Sequence, residues 1–474
     1  MPDPYSSFLD LSLKRSLALA AGGLAGSLSR RLGRGGGTAL PGLVSLTLDP
    51  GILRHLAGQI PQGVLLVTGT NGKTTTSAMI AATLQAGGFF PLQNQTGSNL
   101  LRGVVTALMS RAGASGRLKA NEQGIGVFEV DEAVLPLAAP ATRPRAVLFN
   151  NLFRDQLDRY GEVDTVRALW QDAVASLATD TGLILNADDP AVAGLGERAR
   201  GPTIFFGVDD RDLGRSGLDH AADSICCLKC GHAYVYSHSY YAHLGHYRCP
   251  ECGTGRPQPQ VTASQITLDG FDRARFRMDT PQGQAMVSLG LGGLYNVYNA
   301  LAAAAAGIFV GLRLSLIVHA LEAFTPAFGR MEQLEIDGRR VCLTLVKNPT
   351  GFNQVLRALR QGSAPDTLLM VLNDRIADGQ DVSWIWDVDF EGLEAGTLVV
   401  SGTRAEDMAL RLKYAGLPVS RDNIRGDLAQ ALDQALEATA AGGALYVLPT
   451  YTAMLDLQRL LARRGHLAHY WKQN

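Results

Sequence analysis

Between residues 61 and 205, short apolar runs alternate with longer stretches whose apolar positions recur at helical spacing. The runs Val64–Val67, Gly126–Val130, Ala146–Phe149, Leu183–Leu185 and Thr203–Phe206 predict strands. The stretches between them predict crossover helices, and that alternation implies a parallel sheet. Residues 259–290 predict further strands, including Ala274–Met278 and Ala285–Leu289. Helices are predicted again over Asn296–Phe309 and Leu314–Ala323. After Gly329-Arg330 a second α/β pattern begins, with strands over Val341–Leu345, Thr367–Leu372, Thr397–Val400 and Ala444–Leu448. The expected layout is a leading helix and basic, glycine-rich segment over 1–60, a central α/β domain over 61–330, and a second α/β domain over 331–474.

The chain has 474 residues and a formal net charge of −1, with no long basic run, so nucleic acid is not the expected partner. No apolar stretch is long enough to cross a bilayer. Lys14-Arg15 followed by a run of Leu, Ala and Gly faintly imitates a signal peptide, but Asp3 and Asp10 spoil its basic start. A small-residue or amphipathic helix is expected there instead, open to a role at a lipid surface. The setting expected for the chain is the cytoplasm.

The most specific local signal is Thr68-Gly69-Thr70-Asn71-Gly72-Lys73-Thr74-Thr75-Thr76, between the strand at Val64 and a helix over Ser77–Gln85. Strand, glycine turn and helix N-terminus aim backbone N–H groups at phosphate oxygens. Thr70, Asn71, Gly72, Lys73, Thr74 and Thr75 are therefore expected to hold ATP, with Lys73 on the terminal phosphates and Thr74 on Mg²⁺. Val67 stands where the strict phosphate-loop pattern has its first glycine, so the loop is a variant.

Five of the six cysteines lie between 226 and 252. Cys227-x-x-Cys230 and Cys249-x-x-Cys252, each followed by glycine, predict two knuckles that present four thiolates to one structural Zn²⁺ in an insertion over 223–258. Cys226 is then a spare, and His232, His238, His243 and His246 are expected to be surface or packing residues. Glu129, at the end of its strand, suits Mg²⁺; a solvated acidic turn is the other reading. Asn150-Asn151 to Tyr160-Gly161 and Asn186-x-Asp188-Asp189 follow strands in the same way and suit either site-lining loops or helix caps.

Taken in order, the phosphate loop, Glu129, Asn151…Asp155-x-x-Asp158-Arg159-Tyr160, Asn186-x-Asp188-Asp189, Tyr295-Asn296-x-x-Asn299-Ala300 and Gly329-Arg330-Met331-Glu332 resemble the Mur ligases over roughly residues 60–470. The resemblance implies a Mur-ligase-like central phosphate-loop domain, here with a four-cysteine zinc-ribbon insertion, and a C-terminal α/β domain. It implies that Asn296, Asn299 and Arg330 help hold the nucleotide. It also implies that ATP converts a carboxylate to an acyl phosphate, which an amine attacks.

The departures are informative. Only some sixty residues precede the loop, no lysine occurs between Lys119 and Lys229, and Gln156 stands at a position the family fills with histidine. Thr344-Leu345-Val346-Lys347-Asn348-Pro349 replaces an Asp-Tyr-Ala-His-Asn-Pro motif. With Leu372-Asn373-Asp374, the run Ala377 to Glu391 and Ser401 to Asp407, these features resemble the MurT family, the Mur-ligase-like subunits of lipid II isoglutaminyl synthase. That resemblance implies a GatD-like glutaminase partner that supplies ammonia. It further implies amidation of the α-carboxylate of D-glutamate in lipid II, at the inner face of the membrane. Cys342 lies in the apolar run Val341–Val346 and is expected in the core, so the chain lacks an evident glutaminase nucleophile.

The run 381–391 alternates, with Val382, Trp384, Trp386, Val388 and Phe390 on one side and Asp381, Asp387 and Asp389 on the other. Asp381 and Asp387 are candidate catalytic carboxylates, able to orient the partner's histidine or help deliver ammonia; an edge strand with a solvated acidic face is the plain reading. Two other functions remain open. One is a stand-alone amino-acid ligase of the Mur or folylpolyglutamate type. The other is a zinc-ribbon scaffold that binds nucleotide without turnover.

Overall fold

The computed structural model describes residues 4–31, 39–94, 98–113, 115–119, 121–155, 163–218, 222–325, 330–362 and 365–466. Two sheets organise it. The first has nine strands: β1 Val64–Thr68, β2 Phe90–Gln93, β3 Gly124–Glu129, β4 Ala146–Phe149, β5 Gly182–Asn186, β6 Thr203–Val208, β9 Val261–Asp269, β10 Arg273–Thr280 and β11 Gly283–Leu289. β7 Val235–Tyr241 and β8 Leu244–Arg248 form a separate hairpin between β6 and β9. The nine run in the order β11-β10-β9-β6-β5-β4-β1-β3-β2. Neighbours from β9 to β2 are parallel, and β9, β10 and β11 are antiparallel.

The second sheet contains β12 Arg330–Ile336, β13 Arg339–Thr344, β14 Thr367–Val371, β15 Thr397–Ser401, β16 Ile424–Arg425 and β17 Ala444–Pro449, in the order β12-β13-β17-β14-β15-β16. Only the β12–β13 pair is antiparallel.

Strands β1, β3, β4 and β5 are buried along their whole length, as continuous apolar runs covered on both faces should be. The helix Leu294–Val310, an alanine-rich helix, packs against the helix Lys73–Ala86 and fixes the far side of the phosphate loop. Trp170 is fully buried beneath the same site. Its ring meets Phe149 edge-on at 5.1 Å, and its Nε1 donates to the Glu132 carbonyl at 3.1 Å. Burying a ring of that size contributes about 3 kcal/mol, and here it anchors the loop that follows β3.

The run 381–391 does not form the expected alternating strand. Ser383–Asp387 is a 3₁₀ turn. Val382, Ile385 and Val388 are buried at a spacing of three, and Phe390 follows them inward. Trp386 is 49 % exposed, not buried with its supposed face, and sits against Tyr414 and Arg411. Asp381 explains the local choice: its Oδ1 accepts the Ser383 N–H at 2.8 Å and starts the turn.

At the N-terminus the helix Pro4–Arg31 packs on Leu40–Leu48, which packs in turn on Leu101–Met109. Among the described residues, no helix is long and apolar enough to cross a membrane.

Candidate active site

The phosphate loop leaves β1 and enters the helix Lys73–Ala86 through Gly72, whose φ is +84°. A side chain there would be strained, and its Cβ would lie 2.3 Å from Asn299 Oδ1. The turn is braced by the loop after β4. Asn71 N–H donates to Asn151 Oδ1 at 2.8 Å, and Asn151 Nδ2 donates to the Asn71 carbonyl at 3.1 Å. Thr70 N–H donates to the Asn151 carbonyl at 3.0 Å. Asn150 Nδ2 donates to Thr76 Oγ1 at 2.9 Å, and that hydroxyl donates to Asn299 Oδ1 at 3.0 Å. Asn299 Nδ2 donates to Asn296 Oδ1 at 3.1 Å. The loop and the Asn296–Asn299 helix turn are thus one hydrogen-bonded unit.

Lys73 is buried. Its Nζ donates to the carbonyls of Gly69 and Thr70 and to Glu132 Oε2 at 2.9 Å. Burial pulls the ammonium toward its neutral form, but Glu132, Glu129 and Asp131 together outweigh it and hold Lys73 above the ordinary lysine range. Thr74 Oγ1 donates to Glu129 Oε2 at 2.8 Å, and Glu129 is 8 % exposed. The acidic turn after β3 is therefore not solvated. Its carboxylate and the loop threonine form a buried pair of hard oxygen donors, a donor set that fits Mg²⁺.

The opposite wall comes from the second sheet. Thr344 ends β13, and its buried Oγ1 has no hydrogen-bond partner among the described residues. Lys347 Nζ pairs with Asp155 Oδ2 at 2.5 Å. Asn348 caps the helix Pro349–Gln361 through Gly351 N–H at 2.8 Å and also reaches Asn71. A cleft opens between the walls, lined by Asn71, Thr75, Tyr295, Asn296, Asn299 and Thr344 among others. An unpaired hydroxyl, a cationic lysine and a helix N-terminus facing one cleft suit a polyanionic ligand such as a nucleoside triphosphate. The side chains of Arg330 and the residues 156–162 lie outside the described residues.

The four cysteines Cys227, Cys230, Cys249 and Cys252 converge, with all Sγ atoms within 4.8 Å of one another. Four thiolates at about 2.3 Å from a tetrahedral Zn²⁺ stand about 3.8 Å apart; the observed Cys227–Cys252 and Cys230–Cys249 separations are 3.5 and 3.4 Å. Each knuckle turns on a glycine: Gly231 N–H donates to Cys227 O, and Gly253 N–H to Cys249 O. The set fits zinc. Cys226 is exposed and outside the cluster.

This module reaches the cleft. Tyr241, at the end of β7, lines it, and the buried His243 ring packs against Phe153 with centroids 4.8 Å apart and the planes tilted by 48°. Asp223 Oδ1 holds Arg154 Nε at 2.5 Å, and its Oδ2 accepts Arg154 N–H at 2.8 Å. Arg154 Nη1 in turn lies 3.6 Å from Asp387 Oδ2. Asp387 thus faces the loop after β4, whereas Asp381 is exposed and occupied as a turn cap.

Sequence reasoning missed Glu132 as the partner of Lys73. It also missed Lys347, Asn348 and Asp223 as contacts of the loops at the cleft. Asn348-Pro349 carried a cap signal, since Asn before Pro opens helices; the other pairings span long sequence separations and leave no local trace.

Comparison with known proteins bears on the whole chain. The Mur ligase middle domain family matches residues 67–229, and the MurT ligase C-terminal family matches residues 345–454. The chain is similar to the lipid II isoglutaminyl synthase (glutamine-hydrolyzing) subunit MurT of Streptococcus pneumoniae, at 35 % identity over 96 % of this chain and 98 % of that one. It is similar to the subunit of the same name from Staphylococcus aureus strain COL at 32 % identity, over 93 % and 96 % of the two chains. Among solved structures it resembles MurF from Acinetobacter baumannii, with a TM-score of 0.64 and 19 % identity over 89 % of this chain and 80 % of that one.

Proposed function

The chain belongs to the MurT family of Mur-type ligases, and from that premise we propose that it uses ATP to amidate the α-carboxylate of D-glutamate in lipid II, with ammonia from a GatD-like glutaminase subunit. The observation that carries this reading is the cleft in which Asn71, Gly72 and Thr75 of the phosphate loop meet Thr344 and Lys347 of the second sheet, with Asn348 bonded to Asn71 and, in the same loop, Lys73 and Thr74 bonded to Glu132 and Glu129.

A carboxylate resists attack by ammonia because it has no adequate leaving group. In the proposed reaction, a carboxylate oxygen attacks the γ-phosphorus and ADP departs, giving an acyl phosphate. Neutral ammonia then attacks the carbonyl carbon, the C–O bond to phosphate breaks, and a proton leaves the nitrogen. Lys73 and the loop N–H groups offset charge on the transferring phosphoryl. Thr74 and Glu129 would hold Mg²⁺, which supplies further charge neutralisation at the phosphates. Lys347, held by Asp155, is placed to orient an anionic substrate group in the same cleft. Asn296, Asn299 and Arg330 are assigned to the nucleotide, and the four cysteines to structural Zn²⁺.

The need for a second subunit has its own support. Cys342 is 3 % exposed in β13, and burial raises its thiol to about 11, far from a thiolate nucleophile at neutral pH. The deciding experiment supplies a lipid II substrate, ATP, Mg²⁺ and ammonium chloride to the purified chain. D-isoglutamine product and ADP in equal amounts support the proposal. ATP turnover only on addition of an amino acid favours the stand-alone ligase, and nucleotide binding without turnover favours the scaffold.

A further inference from the structure

Six of the large apolar side chains exposed on the described residues lie within 17–48: Leu17, Leu24, Leu28, Leu40, Leu43 and Leu48, between 40 and 72 % exposed. On the helix Pro4–Arg31 the usual pattern is inverted. Among the residues whose side chains are described, the buried stripe is Ala18, Gly22, Gly26 and Ser29, small residues at spacings of four and three, joined by one leucine, Leu19. Gly22 shows why: a Cβ there would lie 2.6 Å from the Pro41 carbonyl and 2.3 Å from Ser45 Oγ, so the following helix sits hard against it. Ser45 Oγ seals the contact by donating to the Ala18 carbonyl at 2.8 Å. Leu17, Leu24 and Leu28 point the other way. At about 100° per residue, Leu17, Leu24 and Leu28 fall within about 40° of one another, a stripe about 16 Å long. A helix that buries mostly small residues and exposes three leucines in one stripe is built for an apolar neighbour on its outer side.

Charge identifies that neighbour. From residue 11 to residue 48 the sequence has five Lys or Arg and no Asp or Glu, although the whole chain has one more acidic than basic residue. Arg15 lies 3.7 Å from Asp49, at the edge of this stretch. Exposed leucines carried on a stretch this basic in sequence match an anionic bilayer surface, where apolar side chains enter the acyl boundary and basic residues meet the headgroups. A second copy of the chain would bring like charges together.

We propose that this leucine face seats the protein on an anionic membrane surface. The inference deepens the proposed function, because it rests on a lipid-linked substrate presented at such a surface.

The test is co-sedimentation of the full chain with phosphatidylcholine vesicles containing about one-third phosphatidylglycerol, and with pure phosphatidylcholine vesicles. Binding is expected to be at least about tenfold stronger to the anionic vesicles and to weaken at high salt. The Leu17→Ser/Leu24→Ser/Leu28→Ser variant is expected to lose at least about tenfold in anionic-vesicle binding. A Leu24→Trp protein gives a readout that does not depend on the triple variant folding: bilayers with brominated acyl chains should quench its extra fluorescence over wild type. Absence of vesicle binding by wild type, unchanged binding by the triple variant, or absence of that quenching would overturn the proposal. So would a triple variant that turns a dimer into a monomer but still binds vesicles. Amidation of a water-soluble substrate analogue does not need the membrane. Its failure with vesicle binding intact would count against the reaction and not against this surface.

Discussion

Asn71 and Asn348 exchange hydrogen bonds across the cleft between the two sheets: Asn71 Nδ2 donates to Asn348 Oδ1 at 3.3 Å, and Asn348 Nδ2 donates to Asn71 Oδ1 at 3.0 Å. They are 277 residues apart in the chain. Each primary amide offers a donor and an acceptor side by side, so the reciprocal pair reports directly on whether the phosphate loop and the second sheet are in register. Asn348 also caps its own helix, which ties the position of that helix to the loop.

These two jobs of Asn348 can be separated. Asn348→Ala removes both and should cost about 1 kcal/mol of stability for the lost cap, with ATP-dependent turnover falling at least about tenfold. Asn348→Ser keeps a capping oxygen but is too short to span to Asn71. Thermal melts should therefore show Asn348→Ser recovering most of the lost stability, while steady-state kinetics show no recovery of turnover. Recovery of both would make the residue a cap and nothing more.

Lys73→Ala should reduce ATP-dependent amidation by about a thousandfold or more, since it withdraws the loop's cation from the transferring phosphoryl. It also strands Glu132, whose partner is removed while the carboxylate stays buried. Stability is expected to fall with the single change and to recover in Lys73→Ala/Glu132→Gln, where no charge is left without a partner. Activity should stay lost in both. A folded Lys73→Ala protein amidating near the wild-type rate would remove Lys73 from the reaction.

What could be read in advance was local. The run Val64–Val67 with its glycine turn and Lys-Thr predicts strand, loop and helix because each signal lies within a few residues of the next. The two cysteine knuckles predict a converging thiolate cluster for the same reason. The segment 381–391 misled because its alternation of aromatic and acidic residues has the period of a strand. The spacing that packs is instead Val382, Ile385 and Val388, chosen once Asp381 caps Ser383 and turns the chain. Lys347–Asp155 and Asn348–Asn71 were invisible for another reason: a contact between elements hundreds of residues apart is fixed by tertiary packing, and a single sequence holds no record of it.

The zinc assignment predicts one Zn²⁺ per chain by elemental analysis. Because Asp223 and His243 belong to the same insertion and touch Arg154 and Phe153, metal loss should be felt at the cleft. Cys249→Ser, at a fully buried ligand position, should lose the metal and loosen the β7–β8 hairpin. Hydrogen exchange over residues 223–258 should rise, and the KM for ATP should rise with it. A zinc-free native protein with four freely titrating thiols would end the assignment.

The two candidate carboxylates should part company in one assay. Asp387 lies 3.6 Å from Arg154, whose neighbour Asp155 pairs with the cleft residue Lys347. Asp387→Asn should therefore slow amidation driven by glutamine and amidation driven by free ammonium to similar extents. Asp381 faces solvent, and its carboxyl is held below the usual range by the Ser383 N–H and hydroxyl, so it stays ionised throughout the neutral range. An exposed, permanently ionised carboxylate can orient a histidine supplied from outside, as the third member of a triad does. With the glutaminase subunit present, Asp381→Asn should lose glutamine-driven amidation by about a hundredfold or more and retain ammonium-driven amidation. The ammonium-driven rate should climb as pH rises toward 9, because only neutral ammonia has the lone pair that attacks the acyl phosphate; it should do so equally in wild type and Asp381→Asn. Equal loss of both activities in Asp381→Asn would move that residue from the subunit junction to the ligase site. Full retention of both would leave it as the cap of its turn.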